Sequence, residues 1–529
     1  MLKRTSFNLA LAKKHKRDIY SKVEAFIRGN DCYNGNILVL YGLRRTGKTT
    51  IMEQALCDYP EQSKCAFYEV SEKDDIEDIN KVIIEESDRG TEVLFFDEIT
   101  KAKNFISNSA VLSDVFAKQG IKIVVTGTDS LSFAFAEEQE LFDRIIRIKS
   151  THIPYSEHCR VLETSDIDDY IRYGGLMKKG EDGSRIVYDY ESSCKYLNSA
   201  VANNISRSIK LNPYDNSLES LSIEELSAII EKLVEKYSGI FSVKIAQNPL
   251  DTVSVNFPPA RVQDLISKAE INRLVYERSN ITKDFAAEIN AGLEIKMPIT
   301  SDMINSLKKY LMVMDVLSVT TKMEFEYTEN IGWIANAPVH EYYIVQPAIK
   351  YYHLEKAKAF FEEQHYYSSL PLKAKKQMQD ILENKILGEM IEQIILFDTA
   401  AALPKNKYKI IKPVFRINGK SAGEYDMLVH DVGKGSYWAF EIKHSKEACE
   451  QQVKYLENSR IQEVVDAQFG MRENVCVLYK GNPFKNSNGT VYLNIKDFLC
   501  SLEETKDMHQ TIKYCVKMMK KLKSDSLCL

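Results

Sequence analysis

The chain has 529 residues, of which 44% are hydrophobic and 27% are charged, a composition typical of a folded protein with several domains. This composition excludes an intrinsically disordered chain. The 70 Lys and Arg residues against 75 Asp and Glu residues give a net charge of −5, which argues against a surface coated in positive charge. A local basic groove remains compatible with this balance.

Cysteine usage and hydropathy indicate the compartment. The 10 cysteines are scattered along the chain, with no CxxC pair and no Cys/His cluster at zinc spacing. This distribution is typical of reduced thiols in a cytosolic protein. The first residues carry charges where a signal peptide needs an apolar core, and no stretch reaches the roughly 18 apolar residues of a membrane span. We therefore predict a soluble, cytoplasmic protein without a membrane partner.

In residues 1–155, short apolar runs alternate with helix-like segments. The apolar runs read NILVLYG, CAFYEV, EVLFFDEI, IKIVVTG and RIIRIKS. Continuous runs of this length are typical of strands that are buried on both faces, and the intervening helices favour right-handed crossovers. The pattern predicts an α/β domain with a doubly wound parallel sheet.

The middle of the chain predicts two further units. Residues 156–257 show a mostly helical pattern that includes the pair Gly174-Gly175, and we interpret them as a helical lid. In residues 258–350, helix-like pieces are followed by alternating segments. Two or three helices before a short hairpin favour a winged-helix-like module, although other small α+β units fit the same pattern.

Residues 351–529 predict a carboxy-terminal α/β domain with a basic helical tail. A helix around LGEMIEQIILFDTA precedes the strand segments VFRINGKSAGEYDMLVH and YWAFEIKHS, which are joined by the turn DVGKGS. We expect the next helix to begin at about Lys446. The tail MHQTIKYCVKMMKKLKSDS favours a solvated amphipathic helix, with a nucleic-acid contact as the alternative.

A phosphate-binding motif lies between the first apolar run and the first helix of the parallel sheet. The segment GLRRTGKT fits the pattern GxxxxGK[ST]. In this context backbone N–H groups surround the phosphates, the ammonium group of Lys48 reaches the outer phosphates, and the hydroxyl of Thr49 ligates magnesium. The motif therefore predicts ATP and Mg²⁺ as cofactors. The predicted nucleotide-binding residues are Gly42, Arg44, Arg45, Thr46, Gly47, Lys48, Thr49 and Thr50.

The apolar strand VLFF ends in two carboxylates, Asp97 and Glu98. We expect Asp97 to hold the magnesium through water and Glu98 to polarise the attacking water, so that the pair predicts ATP hydrolysis. A solvated loop carboxylate is the alternative for Glu98. A kinase or another phosphotransferase is disfavoured, because an activated water would consume ATP without using the intended acceptor.

Two further residues are candidates for the ATPase reaction. The strand IKIVVTG ends at Thr126, whose hydroxyl can sense the γ-phosphate from the adjacent strand tip, although a strand-end threonine is also an ordinary cap. Arg144 opens the last strand and is a candidate for stabilising transition-state charge, in its own subunit or in a neighbour. A surface salt bridge is the alternative for Arg144.

Taken in order, these segments resemble the bacterial and archaeal AAA-type ATPases that carry a carboxy-terminal domain of unknown function. The matching segments read YGLRRTGKTT, LFFDEI, VVTGTDS, FDRIIRIKSTHIPYSEH and YIRYGG, and the resemblance is strong over roughly residues 10–210. The family's Gly-Arg step is Asp143-Arg144 here, a departure that weakens Arg144 as an arginine finger. Because the sites of AAA ATPases form between subunits, the resemblance also implies a homo-oligomer.

The carboxy-terminal domain resembles the PD-(D/E)XK nucleases through Asp426, Glu441 and Lys443, which two antiparallel strands bring to one edge. In such a site the carboxylates hold one or two Mg²⁺ ions and the lysine positions the attacking water. Glu392 matches the helix carboxylate that these nucleases add to the metal site, whereas Glu424 reads as a solvent-facing strand residue. Candidate phosphodiester contacts follow at Gln451, Gln452 and Lys454.

Two functions follow from these sites. The first is Mg²⁺-dependent ATP hydrolysis coupled to the binding or processing of nucleic acid, with DNA favoured and with phosphodiester cleavage as a possible second reaction. The second is a regulatory ATP switch whose carboxy-terminal domain only binds a protein or DNA partner, because this nuclease core also occurs in forms that bind without cutting. Metal-dependent cutting distinguishes the two.

Overall fold

The structure is a computed structural model, and two β-sheets organise the part of the chain that it describes. The described residues are 1–5, 7, 15–29, 35–127, 144–175, 201–211, 218–237, 285–293, 298–351, 362, 368, 370–448 and 453–526. None of the helices in these ranges is long and apolar enough to cross a membrane.

The amino-terminal sheet has the order β1-β3-β4-β5-β2-β6. Strands β2 to β6 are parallel, and the short β1 pairs antiparallel with β3. The strands are β1 Leu2–Lys3, β2 Ile37–Tyr41, β3 Cys65–Glu69, β4 Val93–Asp97, β5 Lys122–Gly127 and β6 Ile145–Lys149. The predicted parallel sheet is confirmed, and β5 lies between the strand that leads into the P-loop and the strand that ends at Asp97.

Helices cover both faces of this sheet, which explains why its strands read as continuous apolar runs. The helices are α1 Tyr20–Arg28, α2 Lys48–Asp58, α3 Ile76–Asp88 and α4 Phe105–Asn108. Leu38 and Leu40 point into the core that α1 and α2 cover. Ile37 and Val39 point into the opposite core beneath α3 and α4.

The described part of residues 156–257 is helical, as the sequence predicts. Its helices are α5 Tyr155–Leu162, α6 Ile167–Tyr173, α7 Asn203–Leu211 and α8 Ile223–Tyr237. The pair Gly174-Gly175 ends α6, and a Cβ atom on Gly174 would lie 2.3 Å from Cδ2 of Tyr170. Glycine is therefore needed where the chain turns closely over the Tyr170 ring.

Residues 285–351 contain helices followed by a long strand and two shorter strands that pair antiparallel with it. The elements are α9 Phe285–Gly292, α10 Ser301–Val313, β7 Leu317–Thr328, β8 Gly332–Ala335 and β9 Val339–Ile344. One edge of β7 pairs with β8 and β9. The other edge pairs in parallel with the first carboxy-terminal strand, from Thr321↔Ile411 to Tyr327↔Ile417. These three strands thus continue the carboxy-terminal sheet, and the identity of the region as a winged-helix-like module stays a prediction.

The second sheet has the order β15-β16-β14-β13-β12-β10-β7-β8, with β11 paired to β10 and β9 paired to β7. Helices lie on both of its faces. The carboxy-terminal elements are α11 Leu372–Ala402, β10 Tyr408–Ile417, β11 Lys420–Glu424, β12 Met427–Asp431, β13 Ser436–Ile442, α12 Ser459–Phe469, β14 Met471–Tyr479, β15 Phe484–Lys485, β16 Val491–Asn494, α13 Ile495–Thr505 and α14 Met508–Ser526.

The prediction that a helix begins at about Lys446 is wrong. Residues 445–448 are irregular, and the helix α12 begins at Ser459. The backbone N–H of Lys480 donates to the carbonyl of Ser445 at 2.8 Å, which ties this segment to the end of β14. The side chain of Asn458 accepts hydrogen bonds from the N–H groups of Arg460 and Ile461 and caps the helix there.

One apolar core joins the helical lid, the middle helices and the carboxy-terminal sheet. Its largest contributions come from α5, α6, α8, α10, α11, β13 and α13. Representative members are Tyr155, Tyr170, Ile229, Leu307, Ile391, Trp438 and Phe498. Because these segments share a core, α5, α6 and α8 pack in one continuous unit with the carboxy-terminal sheet.

Phe415 packs at the junction between β7 and β10, and its truncation should weaken the carboxy-terminal sheet. The ring is fully buried and contacts the rings of Phe325 at 5.4 Å and Tyr425 at 5.1 Å between centroids. We expect Phe415→Ala to lower the free energy of unfolding by about 3–5 kcal/mol, because it leaves a cavity in a dense core. The measurement is urea unfolding followed by circular dichroism.

Ile417→Ala is the matched control, because Ile417 lies on the same strand with 43% of its surface exposed. Its unfolding free energy should stay within about 0.5 kcal/mol of the wild type. Equal losses in the two variants would contradict the packing role of Phe415.

Candidate functional site

The P-loop folds around the ammonium group of Lys48. This group is buried and donates hydrogen bonds of 2.7 Å to the carbonyls of both Gly42 and Leu43. Gly47 has a φ of 87°, and a Cβ atom on Gly42 would lie 2.3 Å from the carbonyl oxygen of Ser150. The two glycines of the motif are therefore required by a left-handed turn and by a close backbone approach.

Burial lowers the pKa of Lys48 to about 8, although Glu98 and Asp97 partly oppose the shift. A buried ammonium group with incomplete charge compensation gains stability when an anion binds beside it. The N-terminus of α2 starts at the same lysine and supplies further donors for phosphate oxygens. Of the other predicted residues, Arg44 and Arg45 are exposed on the loop, and Thr50 is half-buried in the first turn of α2.

Asp97 accepts hydrogen bonds from Thr49, the predicted magnesium ligand, and from Thr126, the predicted γ-phosphate sensor. Its Oδ2 atom accepts from the hydroxyl of Thr49 at 2.9 Å, and its Oδ1 atom accepts from the hydroxyl of Thr126. The Thr126 hydroxyl in turn accepts from the N–H of Glu98 at 3.2 Å. The strand order explains this convergence, because β5 lies between β2 and β4 and ends beside both.

Glu98 adopts a left-handed backbone conformation, with a φ of 58°, directly after β4. Such a conformation is uncommon for a non-glycine residue and is often found at functional sites. The side chain is only 21% exposed and lies 3.9 Å from the ammonium group of Lys101. These features disfavour the alternative in which Glu98 is an ordinary solvated loop carboxylate.

A buried ion pair contacts the P-loop, and the sequence analysis did not predict it. The guanidinium of Arg17 donates to both oxygens of Glu157 at 2.9 and 2.8 Å, and both side chains are 3% exposed. The Nη1 atom of Arg17 also donates to the carbonyl of Thr46 at 2.7 Å, which the hydroxyl of Ser150 contacts at 3.0 Å. Arg17 stands in a charged segment whose sequence offers no signal of its partner.

Arg144 lies at the amino-terminal edge of the sheet, where its carbonyl accepts from the N–H of Ile37 at 3.0 Å. The P-loop lies at the opposite, carboxyl edge, so the structure does not bring Arg144 to the nucleotide residues of its own chain. Its Nε atom lies 3.1 Å from Asp114. A role across a subunit boundary remains a prediction, and Asp143 and Thr128 lie outside the described residues.

The carboxy-terminal site is built around an irregularity opposite β10. Glu424 ends β11 and Met427 begins β12, so the expectation of one continuous strand through Glu424 and Asp426 is wrong. Both strands pair with β10, and the register shifts by one residue between them, opposite Pro413, which has no N–H to donate. Such bulges redirect a side chain, here that of Asp426.

Asp426 directly precedes β12 and Glu441 lies in β13, each one residue beyond the register pair Met427↔Phe440, and the sequence predicts this hairpin. The Oδ2 atom of Asp426 accepts from the N–H of Ile442 at 2.7 Å. The ammonium group of Lys443 lies 3.5 Å from Asp426 and 2.5 Å from Glu441. The structure therefore brings together the three side chains that carry the nuclease resemblance.

Glu392 of α11 faces the same cluster and interacts with Lys412, 3.4 Å away. Burial and the Asp426 carboxylate raise the pKa of Glu392 to about 8 and that of Glu441 to about 7. Burial also raises the pKa of Asp426. Against the opposing effect of burial, the neighbouring carboxylates raise the pKa of both Lys412 and Lys443. In this buried cluster the three carboxyl groups outnumber the two ammonium groups.

The donor chemistry of this cluster suits a hard cation, but its present arrangement does not form a preassembled metal site. Mg²⁺ prefers oxygen ligands such as these carboxylates. The carboxylate charge is buried unfavourably, and a bound cation would compensate it. Within the described ranges, no three His, Cys, Asp or Glu side chains are placed to hold one metal ion. Asp426 and Glu441 both contact the ammonium group of Lys443, and this arrangement differs from one in which the carboxylates surround a metal ion. Magnesium binding by Glu392, Asp426 and Glu441 stays a prediction.

Of the predicted phosphodiester contacts, Lys454 lies before α12, with its ammonium group 5.8 Å from the ring centroid of Tyr455. Gln451 and Gln452 lie outside the described residues. Glu424 is exposed at 48% of its side chain, in agreement with the solvent-facing position that the sequence predicts.

Comparison with known proteins defines the class of the amino-terminal part. Residues 34–159 match the protein family described as an AAA domain, and this range contains the P-loop, Asp97 and Thr126. Together with the parallel sheet, the match is consistent with an AAA-type P-loop fold for these residues and supports ATPase activity. The residues beyond 159 lie outside this match.

Two solved structures show weak similarity to the chain. Hsp104 from S. cerevisiae, in an extended complex with casein, is 16% identical with a TM-score of 0.24 and covers 53% of this chain and 48% of its own. AMPPCP-bound DnaA from Aquifex aeolicus is 13% identical with a TM-score of 0.21 and covers 55% of this chain and 86% of its own. The chain thus spans about half the length of Hsp104. A search of the curated proteins finds no match.

The contact between Arg17 and the P-loop predicts a selective effect on ATP binding. Arg17→Lys keeps a positive charge near Glu157 but loses the planar fork that joins Glu157 to the Thr46 carbonyl. We expect KM for ATP to rise about tenfold with a smaller change in kcat, because one such hydrogen-bonded contact is worth about 1.4 kcal/mol in positioning. Steady-state ATP hydrolysis measures both constants.

Arg28→Lys is the control for this variant, because Arg28 is exposed and pairs with Glu24 on the surface of α1. Both variants should melt near the wild-type temperature. A rise in KM that appears equally in Arg28→Lys would argue against a specific contact of Arg17 with the P-loop.

The raised pKa of Glu441 predicts how stability depends on pH. An unfolded glutamate ionises near its ordinary pKa of 4.5, whereas the folded group ionises at about 7, so stability falls as pH rises between these values. When the pH is raised from 5 to 8, the free energy of unfolding of Glu441→Gln should therefore fall less than that of the wild type, by on the order of 2 kcal/mol. Urea unfolding in EDTA at both values measures the difference.

Glu424→Gln removes the same charge from an exposed neighbouring position that affects the pKa of Glu441 less than burial and Asp426 do, so its pH dependence should stay close to that of the wild type. If Glu441→Gln and the wild type lose stability in parallel across this range, the carboxylate of Glu441 is not held in its protonated form by burial.

Proposed function

We propose that this protein is an AAA-type ATPase that hydrolyses Mg²⁺-bound ATP and thereby controls a PD-(D/E)XK nuclease-like domain acting on nucleic acid, with DNA favoured. The observation that carries the proposal is the convergence of Asp426, Glu441 and Lys443 in a domain whose core also contains Leu43 of the P-loop and residues of α5 and α6. The nucleotide site and the nuclease-like cluster each contain the side chains that their reactions need, and packed helices connect the two sites.

In the ATPase half, the positions of the side chains that lie around the P-loop support their predicted roles. The Lys48 ammonium group would exchange its two carbonyl partners for phosphate oxygens. Thr49 and Asp97 would hold Mg²⁺, which supplies charge neutralisation of the phosphates when bound. Thr126 is bonded to Asp97 and to the Glu98 N–H, so it can report the nucleotide state to both. Glu98 would orient and polarise the attacking water.

In the carboxy-terminal half, Asp426 and Glu441 would hold Mg²⁺, with Glu392 beside them. The metal ion would supply Lewis-acid activation of the scissile phosphodiester when bound. Lys443 would then exchange its carboxylate partners for the attacking water or a phosphate oxygen. Its raised pKa keeps it protonated at neutral pH, so it can stabilise developing negative charge.

A chain of direct contacts connects the two halves. Arg17 joins the P-loop carbonyl of Thr46 to Glu157 on α5. At the start of the same helix, the N–H of Tyr155 donates to the buried carboxylate of Asp398 at 2.9 Å. Asp398 belongs to α11, the helix that also carries Glu392. A shift of the P-loop on nucleotide binding would therefore reach the nuclease-like cluster through two helices.

We further propose that the protein works as a homo-oligomer. Arg144 lies at the sheet edge opposite the P-loop, so it could serve the ATPase reaction only for a nucleotide held by a neighbouring subunit. AAA domains use arginines across subunit boundaries in this way. The proposal gives Arg144 a role that the geometry of a single chain does not provide.

The second candidate function is a regulatory ATP switch whose carboxy-terminal domain binds its partner without cutting. The observation that favours it is the pairing of Lys443 with both Asp426 and Glu441, together with the pairing of Lys412 with Glu392. These ion pairs already neutralise much of the charge that a metal ion would neutralise. Binding without cutting would then use the same surface.

The test is cleavage of plasmid DNA and single-stranded DNA in Mg²⁺ or Mn²⁺, with and without ATP. We expect Asp426→Asn to lower cleavage at least a hundredfold, because it removes a metal ligand without changing side-chain size. Lys48→Ala should abolish ATP hydrolysis and the effect of ATP on cleavage. Glu424→Gln, two residues from Asp426, is the control and should cut like the wild type.

If the wild type hydrolyses ATP but cuts no nucleic acid under any of these conditions, the nuclease proposal falls and the regulatory switch takes its place. If Lys48→Ala still hydrolyses ATP at the wild-type rate, the ATPase assignment falls instead.

A further inference from the structure

A second polar cluster lies at the same sheet edge as the nuclease-like site. Lys443 and His444 follow β13, and Lys480 follows the neighbouring parallel strand β14. The N–H of Lys443 donates to the carbonyl of Leu478 and the N–H of Lys480 donates to that of Ser445, both at 2.8 Å. Carboxyl ends of parallel strands are places where ligands commonly bind in open α/β sheets.

Asp168, on α6 of the helical lid, reaches into this cluster from the other half of the molecule. The ammonium group of Lys480 lies 2.8 Å from its Oδ2 atom and 3.2 Å from its Oδ1 atom. The Nε2 atom of His444 lies 2.6 Å from Oδ1 and 3.0 Å from the Lys480 ammonium group. We refer to Asp168, His444 and Lys480 as the Asp168 cluster.

Burial differs between the two sides of this cluster. The side chains of His444 and Lys480 are only 9% and 14% exposed, whereas that of Asp168 is 37% exposed. The hydrogen bond from His444, assisted by Lys480 against the effect of burial, lowers the pKa of Asp168, so its carboxylate is ionised at neutral pH. The carboxy-terminal domain thus provides a buried donor pair, and the lid provides an exposed anion that fills it.

We propose that His444 and Lys480 form a phosphate-binding subsite for the nucleic-acid backbone, and that Asp168 occupies this subsite as an internal competitor. The proposal rests on the proposed function, because it assigns a backbone contact next to the nuclease-like site. The shared chemistry is that of an oxygen anion with two acceptor atoms: a carboxylate in this structure and a phosphodiester in the complex.

Asp168 can leave the subsite without opening the shared core. Its neighbours on α6, Ile167, Tyr170 and Ile171, are buried in that core, whereas the Asp168 side chain lies at the surface. Rotation of one side chain would free both donors. Because only the fraction of molecules with an open subsite can bind, removing the internal anion should raise the apparent affinity for nucleic acid.

A purely structural ion pair predicts a different outcome. A partly exposed pair between the lid and the carboxy-terminal domain contributes about 0–1 kcal/mol to stability, and its loss would not strengthen nucleic-acid binding at this position specifically. The direction of the change in affinity therefore separates the two interpretations.

The experiment measures fluorescence anisotropy of a labelled DNA duplex and of the matching single strand, in EDTA at fixed low salt, with the full-length chain. We expect Asp168→Asn to bind about tenfold more tightly than the wild type. Adding Lys480→Ala to Asp168→Asn should remove this gain. Asp169→Asn changes the net charge equally on the same helix and should bind like the wild type, apart from a small general electrostatic effect.

Two results would overturn the inference while leaving nucleic-acid binding in place. One is equal affinity of Asp168→Asn and the wild type. The other is an equal gain in Asp168→Asn and Asp169→Asn, or a gain that survives Lys480→Ala, because a general change in charge would then explain it. If neither the wild type nor Asp168→Asn binds DNA or the matching RNA strand, the proposed nucleic-acid function fails together with the subsite.

Discussion

The guanidinium group of Arg17 lies between the P-loop and α5 and donates hydrogen bonds to both. One end donates to the carbonyl of Thr46, and the other forms a bidentate pair with Glu157 at 3% exposure. Replacing either Arg17 or Glu157 with an uncharged residue would leave the charge of the other buried and uncompensated, which costs several kcal/mol of folding stability. The position of the loop therefore depends on α5, and α5 is bonded to α11 through Asp398. The relation between the ATPase half and the carboxy-terminal half rests on this contact.

Buried charge also organises the carboxy-terminal site. Asp426, Glu441 and Glu392 share two lysines, and the raised pKa values of Glu392 and Glu441 record the cost of crowding carboxylates in a dry environment. Such a cluster gains stability from any added cation. Lys443 provides one within the chain, and the proposed metal ion would provide another. The Asp168 cluster shows the opposite relation, in which the Lys480 ammonium group and the His444 ring are matched by a carboxylate from α6.

Local signals predicted the parts of the fold that depend on neighbouring residues. The P-loop motif predicted the turn around Lys48, and the apolar runs predicted the parallel strands. The turn DVGKGS predicted the hairpin that brings Asp426 and Glu441 to the same Lys443 ammonium group. Sequence reasoning failed where a distant contact overrides a local preference. The segment after His444 is tied to β14 rather than entering a helix, and Pro413 in β10 faces the break between Glu424 and Met427.

The sequence by itself determined the class of the amino-terminal domain and the chemical groups of both sites, because motif spacing and periodicity depend on residues a few positions apart. Only the tertiary structure decided which distant groups meet. Arg17 and Glu157 are 140 residues apart, and Asp168 and His444 are 276 residues apart. The parallel pairing of β7 with β10 likewise joins distant segments. Many carboxylates in the chain are chemically equivalent partners for a given cation, and packing of the shared core selects among them.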